Sequence, residues 1–241
     1  MNVYRIDRMK DLLSTNPYPG RGIVVGKTAD GKHAAVAYFI MGRSDNSRNR
    51  VFVEGEGGAI FTEPFDPARV KDPSLIIYAP IRVYENHLVV TNGDQTDTVY
   101  EGLKQGRGFA ESLALREFEP DAPNLTPRIS AMLTFGEGDF TYQMSILKSA
   151  DPEGSACSRY TFAYPALAGV GQFLHTYMTD GNPLPTFCGE PERVAIPSDI
   201  DAFTEEIWNH LNEDNRISLY VRFVSLEDGT VRNRLINRFV K

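Results

Sequence analysis

Short apolar runs separated by turn sequences fill much of this 241-residue chain. The runs GIVVG (22–26) and HAAVAYFIMG (33–42) flank TADGK, whose Asp30-Gly31 pair is typical of a tight turn, so they predict a β-hairpin. VFVEG and AIFTE follow around a glycine-rich corner, and SLIIYAPIRVY (74–84) and HLVVTNG (87–93) predict a further strand pair. The pattern therefore predicts an early sheet of several antiparallel strands.

The rest of the chain mixes strand and helix signals. Strands are predicted in RISAMLTFG (128–136), FTYQMSILKS (140–149) and SRYTFAYP (158–165), and in a last hairpin around Glu227-Asp228-Gly229. Helices are predicted in DQTDTVYEGLKQG, in GFAESLALREF (108–118) and in SDIDAFTEEIWNHLNED (198–214), where Ser198 or Asp199 can cap. Prolines and glycines between 166 and 197 indicate irregular structure with one short helix near 170–177. The fold class predicted from this pattern is α+β.

Charge and hydropathy exclude several classes of protein. The formal net charge is −7, which argues against a general nucleic-acid binder because such proteins need a basic surface. No apolar run approaches the roughly 18 to 20 residues that cross a bilayer, and the N-terminus lacks the apolar core of a secretory signal. We therefore expect a cytoplasmic protein without a membrane partner. Cys157 and Cys188 favour free thiols, although the sequence leaves a single disulfide open.

Common catalytic signatures do not occur in the sequence. There is no Walker loop, GxSxG elbow, CxxC or HExxH, and the isolated histidines argue against a metal site. Polar segments with arginine do occur at predicted strand ends, the first being YPGRG (18–22). In GRSDNSRNR (42–50), Arg43, Arg48 and Arg50 face a single acidic residue, and such guanidinium groups can hold a phosphate. Composition alone nevertheless favours a solvated loop there.

Three further segments have the same character. YAPIR (78–82) carries a tyrosine and an arginine, and NLTPRISA (124–131) places an arginine at the start of a strand. TNGDQTDT (91–98) runs from a strand into a helix start, where backbone N–H groups can bind an anion. Each segment alone is also explained by a turn or a helix cap.

Taken together and in this order, the five segments resemble the archaeal-type IMP cyclohydrolase family. The resemblance extends over about residues 18–136, and the stretch 169–194 is similar to the bacterial IMP cyclohydrolase-like branch of that family. Two features depart from the shorter members. Residues 1–17 form an N-terminal extension, and the longer GRSDNSRNR segment leaves Arg48 without a counterpart.

The resemblance implies a fold and a reaction. The implied fold is an Ntn-hydrolase-like four-layer αββα sandwich with two mainly antiparallel sheets, formed by residues 1–241 as one domain. The implied enzyme is a cyclic amidine hydrolase acting in the ring-closing direction, which converts 5-formamidoimidazole-4-carboxamide ribonucleotide to IMP with loss of water. Its substrate is a purine ribonucleotide 5′-monophosphate, and no metal or organic cofactor is required. The sequence does not distinguish a monomer from a homo-oligomer.

The resemblance also implies roles for single residues. The 5′-phosphate is assigned to Arg43 and Arg50 with help from Asn49, and a second contact to phosphate or a developing oxyanion to Arg21 and Arg128. The carboxamide is assigned to Tyr78 and Arg82, and Tyr78 is also expected to move a proton. The ribose or formyl group is assigned to Asn92, Asp97 and Thr98, and the catalytic base to Asp97. Gly93 and Thr126 belong to the same segments and are expected at the substrate. Two alternatives remain open: an amide hydrolase acting on another metabolite, and a purine-nucleotide-binding protein without catalysis.

Overall fold

The structure, a computed structural model, describes residues 4–70, 73 and 76–239. The helices are α1 (Met9–Thr15), α2 (Asp45–Arg48), α3 (Gln95–Lys104), α4 (Phe109–Leu113) and α5 (Ile200–His210). The strands are β1 (Arg21–Lys27), β2 (His33–Met41), β3 (Arg50–Glu54), β4 (Ile60–Pro64), β5 (Ile81–Tyr84), β6 (His87–Thr91), β7 (Arg128–Gly136), β8 (Asp139–Ser149), β9 (Cys157–Pro165), β10 (Val170–His175), β11 (Glu192–Ala195), β12 (Arg216–Ser225) and β13 (Val231–Asn237). Within the described residues, no helix is both long and apolar enough to cross a membrane.

The strands form two antiparallel sheets. The first sheet has six strands in the order β11-β10-β1-β2-β12-β13, and the second has seven in the order β3-β4-β5-β6-β7-β8-β9. Five of the six neighbouring pairs in the second sheet pair over several residues, whereas β4 and β5 are joined through Ile60 and Ile81 alone. Neighbours in the second sheet follow one another along the chain, because tight turns or short loops connect most of them.

Buried apolar side chains form three hydrophobic clusters. Between the sheets, residues such as Ile23, Phe52 and Ile129 form one core. On the outer face of the first sheet, α1 and α5 contribute side chains such as Leu13 and Phe203 to a second core. On the outer face of the second sheet, α3 and α4 form a smaller cluster with β6 and β7. The order of layers is therefore α–β–β–α, which confirms the predicted α+β sandwich; the likeness to Ntn hydrolases stays a prediction.

Most predicted elements form, with boundaries that tertiary contacts set. The strand predicted over 74–84 begins only at Ile81; residues 74 and 75 lie outside the described part of the chain. The helix predicted over 108–118 ends at Leu113. The prediction of a short helix near 170–177 is wrong, since this segment forms β10, which pairs with β1 from Gly22 to Gly26. Pairing in a sheet overrides weak local preference there.

Candidate active site

Strand alternation points the first site residues into the space between the sheets. Side chains two residues apart share a face of a strand, so Arg21 lies on the same face as Ile23, which belongs to the core between the sheets. In β2 the same face carries Tyr38, whose neighbour across the strand pair is Ile23. A guanidinium and a phenol from the first sheet are thereby placed side by side at one end of the sandwich.

The second sheet contributes Arg50 from the start of β3. Its side chain is 0% exposed. Nε donates to the carbonyl of Ser47 at 2.7 Å, and Nη2 lies 3.4 Å from the carbonyl of Met41. Nη1 is buried and finds no hydrogen-bond partner among the described residues. Burial, reinforced by the like charge of Arg21, lowers the pKa of Arg50. The group is therefore a buried cation with an unused donor.

Two tyrosines link the sheets beside these arginines. Tyr78, just before β5, and Tyr38 share a hydrogen bond of 2.7 Å between their hydroxyl groups, and both rings are buried. Burial and the neighbouring Tyr78 raise the pKa of Tyr38 well above its ordinary value, so this phenol stays protonated. A pair of hydroxyls of this kind can pass a proton from one oxygen to the next.

A buried carboxylate completes the centre of the site. Glu119 lies in the loop between α4 and β7, is 2% exposed, and its Oε2 is 3.5 Å from Nη2 of Arg21. Burial raises the pKa of Glu119 more than the nearby guanidinium groups of Arg21 and Arg128 lower it. Burial, the largest single influence, lowers the pKa of Arg21, but Glu119 together with the neighbouring tyrosines outweighs burial, so the pKa of Arg21 is raised. A carboxyl group of raised pKa is suited to general acid–base chemistry.

The loop that carries Glu119 is fixed by hydrogen bonds to its own end. The backbone N–H of Glu119 donates to the carbonyl of Thr126 at 2.8 Å, and the hydroxyl of Thr126 donates to Asp121. The same hydroxyl lies 2.5 Å from the hydroxyl of Tyr177, which follows β10. Seven residues therefore form what we call the inter-sheet polar cluster: Arg21, Tyr38, Arg50, Tyr78, Glu119, Thr126 and Tyr177.

Arg43 lies at the outer edge of this cluster. Its guanidinium carbon is 5.1 Å from the centre of the Tyr18 ring, and Tyr18 stacks on Tyr177 with ring centres 6.0 Å apart. Nη1 of Arg43 pairs with Asp180 at 2.6 Å, and the Arg43 side chain is 36% exposed. Arg43 and Arg50, predicted as one phosphate clamp, therefore differ in position: Arg43 reaches solvent and Arg50 is enclosed.

Arg128 and Gly93 form a second group on the helix-facing side of β7. Nη1 of Arg128 donates to Asp94 at 2.7 Å and to the side-chain oxygen of Gln95 at 2.8 Å. A methyl group on Gly93 would lie 2.6 Å from that Nη1, so a larger residue there would force the Arg128 side chain to shift. Asn92 lies next to this group, where its amide donates to the carbonyl of Pro127 at 2.9 Å and its oxygen accepts from the N–H of Ile129 at 2.8 Å.

The remaining predicted site residues are not brought to the inter-sheet polar cluster. Arg82 points towards α3 because Ile81, next to it, points into the core between the sheets. There its Nε donates to Asp97 at 2.5 Å, and Thr98 is half-buried on the same helix. Asn49 exchanges two hydrogen bonds of 2.8 Å with the backbone of Asp66 and so fixes that loop.

Two further features of the described residues are their potential metal ligands and their thiols. Across the described residues, no group of three or more His, Cys, Asp or Glu side chains is arranged to hold a metal ion. Cys157 and Cys188 are free thiols, as predicted, and Cys188 is exposed.

Comparison with known proteins identifies the family. The profile of the family described as "IMP cyclohydrolase-like protein" matches residues 18–229. The chain belongs to the IMP cyclohydrolase-like family. The match includes every residue of the inter-sheet polar cluster, together with Arg43 and Asp180.

Curated relatives carry the name IMP cyclohydrolase. The protein of Methanopyrus kandleri is 33% identical over 154 residues, which is 59% of this chain and 75% of the relative. Those of Methanothrix thermoacetophila and Methanocaldococcus jannaschii are 31% and 37% identical over 48% and 50% of this chain. In each of these two cases the match spans 58% of the relative's length.

Several residues of this candidate site were missed by reasoning from the sequence. Glu119 lies in a loop between two motifs, where no periodicity marks it, and Tyr38 lies inside an apolar strand run. Tyr177 lies within the segment predicted as irregular. The signal that could have found Glu119 is its position seven residues before Thr126, within one loop that must close onto the start of β7.

Proposed function

We propose that this protein closes 5-formamidoimidazole-4-carboxamide ribonucleotide to IMP. Family membership and the name of the relatives support the reaction. The observation that carries the assignment is the buried Glu119 beside Arg21, with the unused Nη1 of the enclosed Arg50 in the same cluster. A carboxylate, two guanidinium groups and two phenols can supply the proton transfers and the charge stabilisation that a ring closure with loss of water needs.

The reaction needs two proton transfers. The carboxamide nitrogen attacks the formyl carbon and forms the new C–N bond, and the C–O bond then breaks. One proton from the carboxamide nitrogen and one from the formamide nitrogen leave with the formyl oxygen as water. Because an amide nitrogen is a poor nucleophile, the enzyme must hold the two groups in contact and remove the first proton as attack occurs.

We assign these tasks to residues of the inter-sheet polar cluster. Glu119 accepts the proton from the carboxamide nitrogen, with Arg21 holding its carboxylate at 3.5 Å. Glu119 then passes this proton to the formyl oxygen. Tyr78, bonded to Tyr38, delivers the second proton to that oxygen as the C–O bond breaks, and recovers a proton from the formamide nitrogen. Arg50 donates through Nη1 to the oxygen as negative charge develops on it. This electrostatic interaction is stronger in a buried site than in water.

The outer residues bind the ribonucleotide in this proposal. Arg43 is partly exposed and takes the 5′-phosphate, which must enter from solvent with its charge. Arg128, held beside Gly93, acts on Glu119 through its charge, which lowers the pKa of that carboxylate and favours its ionised form. Asp97, predicted as the base from the resemblance, is engaged by Arg82 on the helix side, and the geometry favours Glu119 instead.

An ultraviolet assay of IMP formation by the purified protein tests the function. We expect turnover by the wild type, loss of kcat by about a hundredfold or more in Glu119→Gln, and a much smaller change in the matched carboxylate variant Asp97→Asn. Failure of the wild type to turn over under conditions in which a known cyclohydrolase works contradicts the proposal. IMP binding without turnover would support the nucleotide-binding alternative, and loss of activity in Asp97→Asn alone would return the base to Asp97.

A further inference from the structure

We propose that Asp180 competes with the substrate's phosphate for Arg43 and thereby sets the affinity for phosphorylated ligands. The proposal rests on the assignment of the phosphate to Arg43 under the proposed function. It gives a role to the segment 178–189, which follows β10 and lies against the outer edge of the inter-sheet polar cluster through Arg43.

The contacts of Arg43 define the competition. Nη1 donates to Oδ1 of Asp180 at 2.6 Å and to the carbonyl of Gly181 at 2.9 Å. The guanidinium carbon stays over the Tyr18 ring, which fixes the direction of the fork. A phosphate oxygen that bonds Nη1 would have to take the position of the Asp180 carboxylate, since both anions use the same donor.

The energetics favour exchange on phosphate binding. The side chains of Arg43 and Asp180 are 36% and 50% exposed, so water and salt screen their attraction. A phosphate dianion carries more charge than a carboxylate and can accept from both arms of the guanidinium. It should therefore displace Asp180, but each binding event includes the cost of breaking the existing pair.

The segment does not depend on Asp180 to stay in place. The N–H of Leu184 donates to the side-chain oxygen of Asn124 at 3.1 Å, and Nζ of Lys148 donates to the carbonyl of Phe187 at 2.9 Å. The N–H of Met178 donates to the carbonyl of Pro185 at 2.9 Å. The Asp180 side chain can consequently leave Arg43 while the backbone around it keeps its position.

The variant Asp180→Asn removes the charge of this side chain and keeps its size. Asparagine retains the side-chain oxygen that accepts from the N–H of Gly181 at 3.0 Å, but it loses the negative charge. We expect the Kd for IMP, measured by calorimetry, to fall about two- to fivefold, which is the range for removing an exposed ion pair. Inosine, which lacks the phosphate, should bind with unchanged affinity. In the turnover assay, the KM for the formamido ribonucleotide should fall while kcat stays unchanged.

A matched control separates this effect from the change in net charge. Asp201 pairs with Arg234 on the first sheet, with side chains 59% and 42% exposed, so Asp201→Asn removes the same charge from a similar exposed pair. Asp201→Asn should leave the Kd for IMP unchanged. In an Arg43→Gln background, which weakens IMP binding itself, Asp180→Asn should have no further effect.

The outcomes distinguish this inference from the proposed function. If the wild type binds IMP and Asp180→Asn binds it no more tightly, the competition is overturned and the proposed function stands. An equal gain for inosine, or for Asp201→Asn, also overturns it. If the wild type does not bind IMP, the proposed function fails and the competition with it.

Discussion

Two buried arginines between the sheets differ in how their charge is accommodated. Arg222, 3% exposed, donates to the hydroxyl of Tyr220 at 3.0 Å and to the carbonyl of Gly58 at 2.6 Å. Arg50 is fully enclosed and leaves Nη1 without a partner among the described residues. Because a buried polar group without a hydrogen bond lowers stability, Arg50 is placed at a thermodynamic cost that function can explain.

Replacing each arginine by methionine should separate function from stability. Arg50→Met removes the donor for the developing oxyanion, so we expect kcat to fall by about a hundred- to a thousandfold with little change in KM. Arg222→Met leaves the partners of Arg222 unsatisfied and should lower the free energy of unfolding by about 1–3 kcal/mol without changing kcat. Steady-state kinetics and urea denaturation measure both. A rise in KM alone for Arg50→Met would assign Arg50 to the phosphate.

The raised pKa of Glu119 links activity to pH with a defined sign. As a base Glu119 must be ionised, so kcat should rise with pH through a pKa above the ordinary glutamate value, and Glu119→Gln should lack this limb. A carboxyl whose pKa is raised by folding stabilises the fold below its unfolded pKa, and this stabilisation is lost as pH rises through the folded pKa. The same rise in pH should therefore lower the stability of the wild type relative to Glu119→Gln. A rate that falls with pH over this range would contradict the role of base.

At the scale of the elements, the junction between β6 and α3 fixes Arg128. Gly93→Ala would place a methyl group 2.6 Å from both Nη1 of Arg128 and the side-chain oxygen of Gln95. We expect it to lower the free energy of unfolding by about 1–3 kcal/mol, because the hydrogen bonds of Arg128 must shift. At Gly136, at the end of β7, an added methyl group would have no other atom within 4 Å. Gly136→Ala is therefore the control and should change the free energy of unfolding by less than about 0.5 kcal/mol. Equal effects in chemical denaturation would show that contact at Gly93 is not the cause.

Local sequence patterns predict some of these elements and miss others. Local patterns were sufficient for β1 and β2, since Asp30-Gly31 sets their turn, and for α5, whose cap Asp199 accepts from the N–H of Asp201 at 2.8 Å. They failed for β10, which owes its conformation to pairing with β1. The motifs named Arg21, Arg50, Tyr78 and Thr126 of the inter-sheet polar cluster, but not Glu119, because loop closure onto Thr126 is a tertiary effect.

At the scale of the whole molecule, the two sheets meet through polar contacts at both ends. At one end, the hydrogen bond between Tyr38 and Tyr78 joins them within the inter-sheet polar cluster. At the opposite end, Nζ of Lys27 in the first sheet lies 3.0 Å from both carboxylate oxygens of Asp139 in the second. A nucleotide held by residues of both sheets would add a further link at the first end only.

Ligand binding should therefore stabilise the whole sandwich through one end. At about a hundredfold excess of IMP over its Kd, the free energy of unfolding should rise by about 2.7 kcal/mol, because IMP binds the folded state alone. Asp139→Asn should lower stability by no more than about 1 kcal/mol and keep the full increment, since it weakens only the opposite end. Arg43→Gln should lose most of the increment at the same IMP concentration, because its affinity for the phosphate is reduced. Urea denaturation with and without IMP measures these differences, and an increment that Arg43→Gln retains in full would place the phosphate away from Arg43.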